Sequence, residues 1–140
     1  METKTVLLRV VGAGLLGTIA GIHLHLWLQS YRHIPTIGPL FLFNVVVSIL
    51  LALAILGIPR RLLWLGLGAG SAFAGATLGG LVISLTAGLF QFQEQINGPL
   101  VPQTIVVESV AIVILGIAAA ILMPKPRWAR SPRDVPSIPL

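Results

Sequence analysis

Four long apolar runs dominate the pattern of hydrophobic and polar positions along this chain. They cover residues of about 6–28, 38–58, 62–90 and 104–123, and shorter segments with Pro and polar residues separate them. A helix needs about 20 apolar residues to cross a hydrocarbon core of ~30 Å, and each run reaches that length. The runs are continuous rather than alternating, which favours helices over barrel strands because a helix satisfies its own backbone hydrogen bonds in lipid. The pattern predicts an all-α integral membrane protein, a four-helix bundle.

The runs and their connections differ in ways that refine this prediction. The third run is the longest and would extend over roughly 43 Å as a helix, so we expect it to tilt or protrude. The first run is too long for the apolar part of a signal peptide and no small-residue cleavage pattern follows, so we expect a retained helix. A short turn at residues 59–61 makes helices two and three antiparallel neighbours. The Pro-rich segment 124–140 is expected to be an extended tail.

Composition excludes a soluble domain. Hydrophobic residues make up 56% of the chain and charged residues only 9%, against about 25% charged residues in soluble domains. The chain has no Cys, which excludes disulfides and thiol chemistry.

The net charge of +5 is a topology signal rather than a nucleic-acid footprint. Of the nine basic residues, Arg32 alone lies on one predicted side of the membrane, and the others lie on the opposite side: Lys4, Arg9, Arg60, Arg61, Lys125, Arg127, Arg130 and Arg133. The positive-inside rule then places both termini and the tail in the cytoplasm, with the chain as a multi-pass protein of the cell membrane. The charges are divided among three short segments, so we expect membrane lipids as partners and no nucleic acid.

Small residues recur at helical spacing inside the runs. Small-xxx-small pairs let two helix backbones approach closely, and they predict packing positions at Gly14, Gly17, Gly21, Gly66, Gly70, Gly75 and Gly79. The third helix has small residues on more than one face. It is therefore either the central helix of the bundle or a contact surface for another subunit, and spacing alone leaves both interpretations open.

Polar residues inside the runs lie at a common level, near the predicted outer ends of the helices. The candidates are His25, Asn44, Ser48 and Glu108, with His23 and His33 nearby. At 100° per residue, His25 shares a stripe with Gly14 and Gly21, so we expect it to point into the bundle and His23 to point elsewhere. Ionisable residues within a membrane are costly and are functional candidates by default.

Three interpretations of this layer stay open. It is a satisfied hydrogen-bond network, with Glu108 paired to His25, or a small cavity for an amphipathic ligand, or a site of proton or metal chemistry. A metal site is disfavoured because His23 and His25 lie on opposite faces of a helix, unlike a chelating i, i+4 pair, and His33 would have to join from a loop. Catalytic constellations and phosphate-binding loops are missing from the sequence. We therefore expect no metal, no cofactor and no enzymatic activity.

The start of the tail combines basic residues with an aromatic anchor. Lys125, Arg127, Trp128 and Arg130 follow directly on the last run. They are candidates for contact with anionic lipid headgroups or a partner protein, and equally for a simple topology signal.

The segment from His23 to Asn44, HLHLW…YRHIPTIGPLFLFN, resembles the first hairpin of uncharacterised small four-helix membrane proteins of the actinobacterial type. The resemblance covers about the first half of the chain. It implies a bacterial protein with the four-helix topology and little about chemistry. Small multidrug-resistance transporters place their essential Glu in the first helix, whereas the Glu within a run of this chain is Glu108, in the fourth.

Two functions follow as hypotheses. The first is a non-catalytic accessory or assembly subunit of a larger membrane complex, respiratory or transport-related, because catalytic residues are missing and small-residue faces are in surplus. The second is a membrane carrier or binding protein for a lipophilic ligand, using His25, Asn44 and Glu108. A cavity between the helices at the level of the polar layer would discriminate between them.

Overall fold

The computed structural model describes residues 2–124, and these residues form four long helices. They are α1 (Glu2–Gln29), α2 (Ile37–Gly57), α3 (Leu63–Thr86) and α4 (Val101–Leu122), with 3₁₀ turns at Tyr31–His33 and Arg60–Leu62. Within residues 2–124 the only strand-like pairing is an isolated bridge between Leu89 and Phe92. All four helices are long and apolar enough to cross a membrane, so the chain is an all-α, multi-pass membrane protein. The predicted tail contacts, Lys125, Arg127, Trp128 and Arg130, lie outside the described residues.

The helix boundaries differ from the apolar runs where the backbone reverses. The longest helix is α1, with 28 residues, and α3 has 24. The third apolar run continues to residue 90, but α3 ends at Thr86 because Gly88 has φ +80° and turns the chain back. Phe90 and Gln91 follow with φ of 50° and 64°, which closes the small turn bridged by Leu89 and Phe92. The last apolar residues of the run therefore belong to a loop.

The helices pack as two antiparallel pairs. The most extensive contacts join α1 to α2 and α3 to α4, while α1 meets α4 and α2 meets α3 over smaller areas. We call the end of the bundle where residues 58–62 join α2 to α3 the turn end. The opposite end, which carries segments 30–36 and 87–100, is the loop end.

A dry apolar core fills the bundle toward the turn end. Its fully buried members come from all four helices and include Leu16, Ile55, Leu67, Ala74 and Leu115. Helix α3 enters this core through glycines: a Cβ added at Gly70 would lie 3.1 Å from Leu115 Cδ1 and 3.3 Å from Leu16 Cδ1. The missing side chain at Gly70 thus allows close helix approach.

Five of the seven predicted packing glycines do not pack inside the described chain. A Cβ added at any of them would meet no other heavy atom within 4 Å: Gly14, Gly17, Gly21, Gly75 and Gly79. Only Gly66 and Gly70 lie against neighbouring helices. In α1 the buried face is built from larger residues instead, namely Leu16, Ile19, Ala20, His23 and Leu26. Their interdigitation turns the glycine row of α1 outward.

At the turn end, Arg9 ties α1 to the end of α2. Its guanidinium donates hydrogen bonds to the carbonyl oxygens of Ile55, Leu56 and Ile58, at 2.5, 2.7 and 2.6 Å. The last carbonyls of a helix have no partner within the helix, and the negative end of the helix dipole favours a cation there. The charge of Arg9 is thus used to complete the backbone hydrogen bonding of α2.

Candidate functional site: a cavity at the loop end

The two histidines of α1 have the opposite orientations to those predicted. His23 is buried, with 6% of its surface exposed, whereas His25 is exposed. The prediction was wrong because it took the stripe of Gly14, Gly21 and His25 as the packing face. That stripe faces outward, and α1 packs against the other helices through the face that carries His23.

His23 lies beside Glu108 rather than within hydrogen-bond distance of it. Its Nε2 is 4.0 Å from Glu108 Oε1, whereas a hydrogen bond would need about 3 Å. Its Nδ1 lies 3.0 Å from the carbonyl oxygen of Ile19, one turn earlier in α1. A carbonyl only accepts, so this Nδ1 carries a proton and donates. The sequence predicted that Glu108 pairs with His25. In the structure Glu108 lies next to His23 instead, at a distance too long for a hydrogen bond.

Glu108 is completely buried and lacks hydrogen-bond partners in the described part of the chain. Its exposed fraction is 0%, and neither carboxyl oxygen has a hydrogen bond to residues 2–124. It lies on the inward face of α4 with Thr104, Ala111 and Leu115. Burying a carboxyl group without partners is costly, so the fold retains Glu108 at the expense of stability.

A cavity of about 340 Å³ adjoins both residues. Its walls are α2 and α3, including Phe41, Asn44, Phe73 and Thr77, while His23 and Glu108 contribute from α1 and α4. At its mouth, Leu40, Phe43 and Ala76 are exposed on the outer surface of the bundle. The mouth therefore lies between two membrane-spanning helices and opens sideways, in the direction of the surrounding lipid.

Aromatic side chains close the cavity toward the loop end. The Tyr31 ring stacks on Phe41 with centroids 4.6 Å apart and meets the edge of Phe92 at 5.8 Å. The Tyr31 hydroxyl donates to Glu94 Oε2, and the Glu94 amide donates to Ser84 at the end of α3. Burial, and then the hydrogen bond and charge of Glu94, raise the pKa of Tyr31 above its ordinary value, so its hydroxyl keeps the proton it donates. These side chains cover the cavity at the loop end, so that it opens between α2 and α3.

A polar bridge joins the two walls of the cavity. Asn44 Nδ2 donates to Thr77 Oγ1 at 3.0 Å, and Ser48 donates to Asn44 Oδ1 at 3.2 Å. Thr77 in turn donates to the carbonyl oxygen of Phe73. Asn44 and Ser48 thus belong to a satisfied network, as one interpretation of the polar layer expected, and Glu108 stands outside it.

The remaining candidates lie away from the cavity. His33 is exposed in the 3₁₀ turn, where its Nε2 accepts a hydrogen bond from Arg32 Nε at 2.8 Å. Between residues 2 and 124, no three His, Asp or Glu side chains converge in a way that could hold a metal ion.

Sequence reasoning did not place Thr77 or Glu94 in the polar layer, and both line the cavity. Thr77 carried a usable signal, because it is a polar residue in the middle of the third run. Glu94 lies in a loop, and nothing in the local pattern indicates that residues 87–100 fold back over the helices.

Searches of protein-family models, curated proteins and solved structures found no match to this chain.

Proposed function

We propose that this protein binds a lipophilic molecule taken from the surrounding bilayer, as a non-catalytic binding or carrier protein. The observation that supports this most is the cavity of about 340 Å³ between α2 and α3, with its mouth on the lipid-facing surface. Small-molecule sites typically have volumes of about 300–1,000 Å³, apolar walls and a few polar groups. The cavity has that size and composition.

Photolabelling in a bilayer tests the proposal. The protein is reconstituted in nanodiscs with a neutral twelve-carbon alcohol that carries a photoreactive diazirine on its chain, and adducts are mapped by peptide mass spectrometry. We expect adducts on the cavity walls, at α2 residues 37–44 and α3 residues 73–84, in excess of those on the outward faces of α1 and α4. Equal labelling of all lipid-facing surfaces would contradict the proposal.

Two glycines of α3 provide a matched pair of variants. A Cβ added at Gly80 or Gly79 meets no heavy atom within 4 Å, but only Gly80 lines the cavity. Gly80→Phe should therefore fill the cavity and remove most of its labelling, while Gly79→Phe makes the same chemical change and should leave the labelling intact. If both variants label like the wild type, the cavity is not the binding site.

We propose further that the turn end faces the cytoplasm, so that the cavity opens into the outer leaflet. The positive-inside rule supports this orientation, since Lys4, Arg9, Arg60 and Arg61 all lie at the turn end and Arg32 at the loop end. Because the chain has no Cys, single cysteines can be labelled with a membrane-impermeant maleimide. Asn97→Cys should react in intact cells and Pro124→Cys only after permeabilisation; the reverse result would invert the topology.

A second candidate function is that of an accessory subunit in a larger membrane complex. Its support is the outward glycine row of α1, Gly14, Gly17 and Gly21, which no part of residues 2–124 covers. Such a row allows another helix to approach closely. The protein should then copurify with a membrane partner in mild detergent, and Gly17→Leu should release that partner while Val113→Leu, on the exposed face of α4, should not. Migration of the wild-type protein alone would count against this function.

A further inference from the structure

Most polar groups that line the cavity already have hydrogen-bond partners, and the groups that remain free are acceptors. Asn44, Thr77 and Ser84 are engaged with one another or with backbone groups. Glu94 accepts hydrogen bonds on both oxygens, from Tyr31 and from the amide of Gln95. Glu108 accepts none on either oxygen from residues 2–124. The two carboxyl oxygens of Glu108 are therefore the main unoccupied hydrogen-bond acceptors of the cavity.

His23 faces the same space with a second acceptor. Because Nδ1 donates to the carbonyl of Ile19, the neutral imidazole presents a lone pair at Nε2. That nitrogen and Glu108 Oε1 are 4.0 Å apart. With Glu108 ionised, an atom about 2.8 Å from each could bridge them, and it would have to donate two hydrogen bonds. An ammonium or amine nitrogen does so, whereas a single hydroxyl has one hydrogen and a carboxylate has none.

Charge and ring chemistry point to the same class of molecule. The charged residues that line the cavity are Glu94 and Glu108, and within the described chain no Lys or Arg lines it. Four phenylalanines contribute to its walls: Phe41, Phe43, Phe73 and Phe92. Aromatic faces attract cations, most strongly where water is excluded. An anionic ligand would find two carboxyl groups and no cation to balance them.

We infer that the cavity binds a lipophilic amine, a primary or secondary ammonium group on an apolar chain or ring system. The ammonium group donates to Glu108 and to Nε2 of His23, and the apolar part occupies the space between α2 and α3. This inference rests on the proposed function and names the ligand class of the same site. It also gives the buried carboxylate the partner that residues 2–124 do not provide.

The test uses three photoreactive probes with the same twelve-carbon diazirine chain and different ends: amine, alcohol and carboxylate. Each is added to the protein in phosphatidylcholine nanodiscs at pH 7. The measured quantity is the ratio of adducts on the cavity walls to adducts on the outward faces of α1 and α4 in the same sample, which cancels differences in partitioning into the bilayer. We expect the amine ratio to exceed the alcohol ratio by about tenfold, since one charge-assisted hydrogen bond is worth at least that much, and the carboxylate ratio to be lowest.

Glu108→Gln keeps the shape of the side chain and removes its charge. It should lower the amine ratio to about that of the alcohol, and alcohol labelling of the walls that persists in the variant shows that the cavity is still present. If the variant loses alcohol labelling as well, the cavity has collapsed, and the ranking of the three probes on the wild type decides alone.

The outcomes separate this inference from the proposed function. Equal ratios for the three probes, or an amine preference that survives Glu108→Gln with the cavity intact, overturn the inference. The binding function still stands in that case if Gly80→Phe blocks labelling. If Gly80→Phe blocks none of the probes, the binding function fails with it.

Discussion

Arg9 and Glu108 are both ionisable residues within membrane-spanning helices, and the two ends of the molecule treat them in opposite ways. At the turn end, Arg9 donates to three carbonyl oxygens at the end of α2. At the loop end, Glu108 is 0% exposed and has no hydrogen bond to residues 2–124. Arg9 thus supplies hydrogen bonds that stabilise the fold, whereas Glu108 is buried by the fold and adds no hydrogen bond to it within residues 2–124.

Packing also differs between the two ends, with close contacts toward the turn end and open space toward the loop end. Around Gly70 the side chains of Leu16 and Leu115 approach within 3.1–3.3 Å of an added Cβ, whereas the space beside Gly80 is open. Polar groups and open volume that lower stability are retained where a protein uses them. The turn end is closely packed and the loop end contains the open volume beside Glu108, which is why we propose the binding site there.

The largest effect is expected from Arg9→Met, which leaves three helix-terminal carbonyls without their donor. Hydrogen bonds to charged groups contribute about 1.5–3 kcal/mol each in favourable cases, so we expect the free energy of unfolding to fall by about 3 kcal/mol. Reversible unfolding in mixed micelles measures it. Arg32→Met is the control, because Arg32 is exposed and its one side-chain hydrogen bond within residues 2–124 goes to the neighbouring His33. If the two variants lowered the free energy of unfolding equally, the proposed structural role of Arg9 at the turn end would be wrong.

The packing contrast is tested by placing the same side chain at two glycines of α3. Gly70→Leu should lower the free energy of unfolding by about 2 kcal/mol, since overpacking a filled core typically costs 1–3 kcal/mol. Gly80→Leu should change it little, because the new side chain enters open space. Thermal unfolding of both variants is the measurement, and a larger loss for Gly80→Leu would refute the assignment of open and filled regions.

Glu108→Leu should have the opposite sign to Arg9→Met. Replacing a buried carboxyl group that lacks partners by an apolar side chain of similar size should raise the free energy of unfolding by about 1–2 kcal/mol. The same variant should lose the preference for lipophilic amines. Destabilisation by Glu108→Leu would show instead that the carboxyl group has a structural partner.

The smallest effect is expected from the bridge across the cavity. Thr77→Val removes the acceptor of Asn44, and single hydrogen bonds between membrane helices average about 0.6 kcal/mol. We expect a loss of that order in unfolding measurements. Thr86→Val serves as the control, because the exposed Thr86 hydroxyl donates to the carbonyl oxygens of Val82 and Ile83 in its own helix.

The sequence was sufficient to predict the membrane environment and the number of membrane-spanning helices. Continuous apolar runs predict spanning helices directly, and polar residues such as Asn44 and Glu108 mark an inward face because lipid excludes them. The end of α3 was misplaced because Leu89 and Phe90 continue the apolar run, and only the backbone turn at Gly88 ends the helix.

The orientation of α1 could not be predicted from its pattern. In lipid, both the packed and the exposed faces of a helix are apolar, so periodicity does not distinguish them. The rule that small residues mark the packing face then selected Gly14, Gly21 and His25, whereas α1 packs through Leu16, Ile19 and His23. The cavity depends on long-range geometry, since its lining comes from all four helices and the loop that carries Glu94.

The most direct test of the account is the thermal stability of the protein in nanodiscs with increasing dodecylamine, compared between wild type and Glu108→Leu. A ligand that binds only the folded state stabilises it by an amount that grows with the logarithm of its concentration above Kd, about 2.7 kcal/mol at a hundredfold excess. We predict that dodecylamine raises the unfolding temperature of the wild type with this logarithmic dependence, and that the Glu108→Leu variant, although more stable at the start, shows no increase. Equal shifts for both proteins, or no shift for either, would contradict the assignment of Glu108 as the ligand-binding group of the cavity.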